Sequence, residues 1–141
     1  MARTKQFDLP RFFRALGDAT RLRLLNLMRE QELCVCYFVE ILGAPQPKIS
    51  RHLAYLRNAG IVSARREGKW MHYRIAMPPH IGATQVLRQT LDSLNDDKAM
   101  QVDRARLTEA CCLPAKYALD GVPLPATASE QCCDAGRRPR Q

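Results

Sequence analysis

The stretch from Cys34 to Gly60 leaves the chain little freedom of fold. A short helical run from about Cys34 to Leu42 is closed by Gly43, the residue type that best tolerates the left-handed conformation after a helix. The connector Ala44-Pro45-Gln46 is brief, and Pro47 suits the first turn of another helix, where its missing N–H costs nothing. In that helix Ile49, Leu53 and Leu56 fall at i, i+4 and i+7 and face inward, leaving Lys48, Arg51, His52 and Tyr55 outward until Asn58-Ala59-Gly60 ends it. Two helices joined so tightly, the second apolar inside and basic outside, make a helix-turn-helix, whose second helix can lie in a DNA major groove.

The flanks fit this centre. Upstream, one helical pattern runs from about Leu9 to Leu16 with Phe12, Phe13 and Leu16 on one side, and stops at Gly17. Asp18 is an N-cap for a second, in which Leu22, Leu24, Leu25, Leu27 and Met28 recur at helical spacing. Downstream, Ile61 to Arg65 and Trp70 to Ile75 read as strands joined through Arg66-Glu67-Gly68-Lys69, a hairpin loop. After Pro78-Pro79 the pattern predicts one long amphipathic helix from about Ile81 to Ala110. It is too long for so small a core, so it is expected to protrude and pair with a second copy. From Leu113 onward prolines are frequent and large apolar residues few, as in a mobile tail. The expected organisation is a winged-helix and dimerisation domain over 1–110 and a cysteine-containing, Pro-rich tail over 111–141. The fold class is mainly α with a β-hairpin wing, a dimeric winged helix-turn-helix.

Charge points the same way. The chain carries a net +8, and Lys48, Arg51, Arg57, Arg65, Arg66, Lys69 and Arg74, seven cations against the one acid Glu67, supply +6 of it. Such concentration marks a phosphate-facing surface. By position, Gln46, Lys48, Ser50, Arg51 and His52 are candidates to reach base edges or nearby phosphates. Arg66 and Lys69 at the hairpin tip, with His72 behind them, are candidate wing contacts. Neither an apolar run of membrane-spanning length nor a secretory leader is visible, so the expectation is a cytoplasmic protein without a membrane partner.

Taken in order, Ala15-Leu-Gly-Asp-Ala-Thr-Arg-Leu-Arg-Leu-Leu, Glu32-Leu-Cys-Val-Cys, Gln46-Pro-Lys-Ile-Ser-Arg-His-Leu and Gly68-Lys-Trp-Met-His-Tyr-Arg resemble the ArsR/SmtB family of metalloregulatory repressors, its arsenic-sensing members in particular. The resemblance covers about residues 7 to 110. It implies a winged-helix homodimer that represses a resistance operon at operator DNA and is released by its inducer.

The cysteines then acquire a chemistry. Trivalent arsenic is soft and thiophilic, so arsenite or methylarsenite, with antimonite a further candidate, would be trapped by close thiolates. Cys34 and Cys36 are the candidate pair. On a regular helix residues two apart point roughly 200° from one another, so gripping one atom is expected to unwind the start of the helix that carries them. The resembling members place a third cysteine where this chain has Val39; Cys111 and Cys112 are the candidate replacements, with Cys132 and Cys133 as further thiols. Other readings are a zinc or cadmium sensor, a repressor responding to thiol oxidation, and a thiol enzyme. The last lacks a phosphate-cradling loop, a βαβ pattern and a Cys-x-x-Cys, so no enzyme is expected.

Overall fold

The computed structural model describes residues 6–29 and 31–125. Helix α1 (Leu9–Leu16) starts at Asp8, whose carboxylate accepts the Arg11 N–H, with Pro10 in the first turn. Helix α2 (Ala19–Met28) starts in the same manner at the expected cap Asp18, which accepts the Arg21 N–H at 3.0 Å. A two-residue strand β1 (Leu33–Cys34) leads into α3 (Val35–Leu42), closed by Gly43 at φ 65° with its N–H on the Val39 carbonyl. Helix α4 (Gln46–Asn58) follows, then strands β2 (Val62–Glu67) and β3 (Trp70–Ile75), with Gly68 at φ 58° making the turn between them.

The sheet is antiparallel in the order β1-β3-β2. Leu33 stands opposite Tyr73 and Cys34 opposite His72, so the short strand before α3 is hydrogen-bonded to the wing. The core gathers Phe12, Leu24, Leu25, Tyr37, Phe38, Ile41, Ile49, Leu53, Leu56 and Ile61, all fully or almost fully buried. Burying a leucine-sized side chain contributes about 1.5–3 kcal/mol. Leu53→Ala in the middle of α4 would therefore remove that and leave a cavity beneath the helix.

Three expectations need correction. Cys34 is not helical; it is the extended residue before α3, at φ −67° and ψ 144°, because its backbone is engaged by β3. The long helix over 81–110 is two. Helix α5 (Ile81–Ser93) passes into a 3₁₀ turn at Leu94–Asp96, and α6 (Lys98–Cys112) begins afresh at Asp97, whose side chain accepts the Met100 N–H at 3.1 Å. The apolar stripe lapses here, since i+3 and i+4 from Leu94 are Asp97 and Lys98, and Asp97 is a capping residue type. Helix α6 does not protrude. The nearly buried Asp103 receives a two-pronged pair from Arg23 (2.7 and 3.0 Å), and buried Asn26 donates to the Met100 carbonyl at 3.0 Å, fastening α6 along α2.

The third correction concerns the tail. Cys111 and Cys112 close α6, and the chain continues through a 3₁₀ turn (Pro114–Tyr117) that is docked. Leu119 is buried, and both Lys116 and Tyr117 hydrogen-bond to Glu109. Cys132 and Cys133 lie outside the described residues.

Candidate nucleic-acid interface and thiol pair

Burial of Ile49, Leu53 and Leu56 fixes which side of α4 faces out. Gln46, Lys48 and Arg51 are exposed, joined by Arg57 one flank further on, while Ser50 is half-buried. Among the described residues Lys48, Arg51 and Arg57 make no ion pair, so their charge is available to a polyanion. At the hairpin tip Arg66 and Lys69 are also exposed; Arg66 donates to the Gly68 carbonyl and Lys69 lies over the Trp70 ring at 4.9 Å.

The remaining cations of the segment are spent internally. Arg65 is held by Glu32 at 2.5 Å and by Glu67 at 3.2 Å, and Arg74 donates to Ser63 at 3.2 Å. The Arg65 hydrogen bond, opposed by desolvation and aided by the charges of Arg65, His72 and Arg74, holds the Glu32 carboxyl below the usual carboxylate range.

Both histidines proposed as DNA contacts are turned inward. His52 is half-buried with Nδ1 3.4 Å from Arg21 Nη1 and 3.8 Å from the Asp18 carboxylate. His72 is buried in β3, Nε2 3.2 Å from Glu67, because alternation along the strand puts it on the face shared with Cys34 and Arg65. Helical and strand periodicity gave their spacing, but neighbouring elements decide which flank is covered.

The thiol pair is built where two elements meet. Cys34 belongs to β1 and is 1% exposed; Cys36 is the second residue of α3 and half-buried. Two residues apart across the β1–α3 junction, the thiols are close enough for Cys34 to influence the ionisation of Cys36. The 200° opposition expected on a continuous helix does not arise, because Cys34 stands outside the helix with an extended backbone. Burial, then the neighbouring Cys34 and more weakly Glu40, push the Cys36 thiol up to about 11. Cys36 is thus held as a thiol next to Cys34.

Cys111 is buried in α6 and Cys112 half-buried beside it. Among the described residues no group of three or more His, Cys, Asp or Glu side chains is arranged to hold a metal ion, so one protomer does not gather these cysteines with Cys34 and Cys36.

One contributor escapes the sequence reading. Arg21 bonds the end of α1 and lies against α4, and its only sequence signal is a cation in the first turn of a helix, where the helix dipole disfavours it.

A basic helix laid outward from a helix-turn-helix, beside a basic hairpin, defines a winged-helix DNA-binding regulator. The family model described as "Bacterial regulatory protein, arsR family" matches residues 18–64. The arsenic resistance transcriptional regulator ArsR1 of Pseudomonas putida is 43% identical over 71% of this chain and 77% of its own length. This chain belongs to the arsR family. The arsenical resistance operon repressor of Escherichia coli is 51% identical over 55% of the chain, an alignment spanning 66% of that repressor. A probable mercury resistance operon repressor of Streptomyces lividans is 47% identical over 48% of the chain and 54% of its own. A cadmium resistance regulatory protein, the CadC homolog of Staphylococcus aureus, is 36% identical over 53% and 63%. Among solved structures, the transcriptional regulator HlyU of Vibrio vulnificus superposes with a TM-score of 0.50 at 28% identity, covering 60% of this chain and 84% of that one. Among the described residues no helix is long and apolar enough to cross a membrane.

Proposed function

We propose that this chain is a cytoplasmic repressor that binds operator DNA as a homodimer through α4 and the β2–β3 hairpin, and releases it when a trivalent arsenical is held by Cys34 and Cys36. The observation that carries the reading is the placement of two cysteines on either side of the junction of β1 and α3, directly ahead of the reader helix. Trivalent arsenic is matched by soft sulfur donors, and arsenical-resistance regulators stand among the relatives, although others are named for mercury and cadmium.

The release route differs from helix unwinding. One sulfur hangs from a strand paired to the wing and the other from a helix packed on α4. Two bonds from these sulfurs to one arsenic atom would draw strand and helix together, so the inducer favours a state in which wing and reader no longer fit DNA at once. Lys48, Arg51, Arg66 and Lys69 carry phosphate and base contact; Gln46 and Ser50 supply further donors and acceptors. Cys111 or Cys112 would serve as a third thiolate only from the partner protomer or after α6 moves.

Dimerisation is assigned to the outer face of α5. Ile81 is 79% exposed, and Gly82, Gln85, Val86, Gln89, Thr90 and Ser93 line an open groove of about 520 Å³. Phe13 on α1 is another large apolar side chain left open.

A repressor responding to thiol oxidation is the weaker reading, because a thiol with so high a pKa holds little of the thiolate that peroxide attacks. The deciding experiment titrates operator-bound protein, kept reduced, with arsenite, methylarsenite, antimonite, cadmium, mercury and zinc. Release by arsenicals that is lost in Cys34→Ser and in Cys36→Ser, and kept in Cys111→Ser/Cys112→Ser, supports a two-thiol sensor. Normal release from Cys34→Ser/Cys36→Ser overturns it.

A further inference from the structure

Arg21 stands where a cation has no local reason to be. It is the third residue of α2, and the aligned peptide dipoles of that first turn disfavour positive charge. What outweighs the dipole is visible around the guanidinium. Its Nε donates to the Ala15 carbonyl at 2.8 Å and its Nη2 to the Arg14 carbonyl at 2.8 Å, both in the last turn of α1, the Arg14 carbonyl also accepting the Gly17 N–H at 3.1 Å. Its face lies 4.2 Å from the centre of the Tyr55 ring, and Nη1 is 3.4 Å from His52 Nδ1. His52 and Tyr55 are three apart on α4 and so share one flank of it. One planar group therefore touches α1, α2 and α4 together.

Apart from the longer His52–Asp18 contact at 3.8 Å, the groups that seat α4 against the body include the apolar side chains Ile49, Leu53 and Leu56. Apolar contact is non-directional: it keeps a helix down but fixes its roll about its own axis poorly. A guanidinium anchored by two directed hydrogen bonds and stacked on Tyr55 does fix the roll. We infer that Arg21 is a positioning residue for DNA reading, setting the rotation of α4 and hence the aim of Lys48 and Arg51, without touching DNA. The inference rests on α4 being the reader. Lysine cannot replace it, since an ammonium offers neither the fork nor the stacking plane.

The test uses the full chain and a duplex selected from a random pool by the wild-type protein; failure to enrich any duplex would overturn the reader assignment itself, a distinguishable result. In Arg21→Lys, affinity for the selected duplex should fall by about tenfold or more, the value of one misaimed base contact, while affinity for an unselected duplex stays within about threefold. The slope of affinity against salt should not change. Equal losses on both duplexes with a slope lower by about one would make Arg21 a phosphate contact and overturn the inference. So would unchanged discrimination with the folded fraction matched by circular dichroism, which is what a merely structural role gives. Tyr55→Leu, which removes the stacking plane but leaves the Arg21 hydrogen bonds, should show the same loss of discrimination in smaller measure; undiminished discrimination there counts against the inference as well.

Discussion

The thiol pair and the reader surface lie close together in the chain and are built in opposite ways. The proposed reader is a set of exposed cations, Lys48, Arg51, Arg66 and Lys69, without ion pairs among the described residues and placed to act on a polyanion through long-range charge. The thiol pair, one sulfur buried and the other half-buried, is held between a strand and a helix. Surface charges contribute separately, so their loss is graded. Two sulfurs sharing one atom act as a unit, so loss of either is complete.

The largest effect that could break this contrast is on the thiols. Cys36→Ser alone should raise the arsenite needed for half-release by at least about a hundredfold with operator affinity unchanged, because the differential affinity driving release is gone. A graded, few-fold change measured by fluorescence anisotropy would place the two regions in one class after all.

Proton balance sharpens it next. With Cys36 raised to about 11, its sulfur enters the reaction as a thiol near neutral pH. Arsenous acid and two thiols give a dithiolate-bound arsenic hydroxide and two waters, with no net proton released. A divalent cation expels two protons instead, so its apparent affinity should climb about a hundredfold per pH unit. Competition between arsenite and cadmium followed from about pH 6.5 to about pH 8.5 should move steadily toward cadmium as pH rises; a constant ratio would sink this account.

Smaller, and additive if the reader is as described, are Lys48→Ala and Arg51→Ala. Each should lower the salt slope by about 0.9, and the double variant by about twice that, in filter-binding titrations. Smallest is Glu32→Gln. The folded carboxyl titrates below its unfolded value, so its stabilising contribution is present above the unfolded value and fades as pH falls through the folded one. The exposed Arg65 partner keeps that contribution small. The acid limb of a Tm-against-pH curve should be flatter in Glu32→Gln than in the wild type, with the neutral region nearly superimposed.

Much of the fold was legible because local chemistry and tertiary structure agree. Asp18 caps, Gly43 turns left-handed, Ile49, Leu53 and Leu56 face in, and Gly68 makes the hairpin turn. What escaped depends on residues far apart in sequence. The break at Leu94–Asp97 is marked in sequence just by a lapse in the apolar stripe and the cap residue Asp97, whereas the Arg23–Asp103 pair and the Asn26 hydrogen bond, which lay α6 along α2, join residues far apart in the chain. The motif identified the two thiols, but not that Cys34 is in a strand, since two residues are too few for an alternation to be seen. His52 and His72 have the right chemistry for DNA and sit on covered flanks.

The pairing of Cys34 with His72 has a consequence for transplantation. Strand neighbours alternate between faces, so one residue inserted between α2 and β1 would exchange the environments of Leu33 and Cys34 while leaving the Cys-Val-Cys tripeptide intact. Copying that tripeptide onto the α3 of another winged-helix scaffold would carry over two sulfurs and no lever. A working graft needs the docking strand, a hairpin able to receive it and the Glu32–Arg65 clasp as one part.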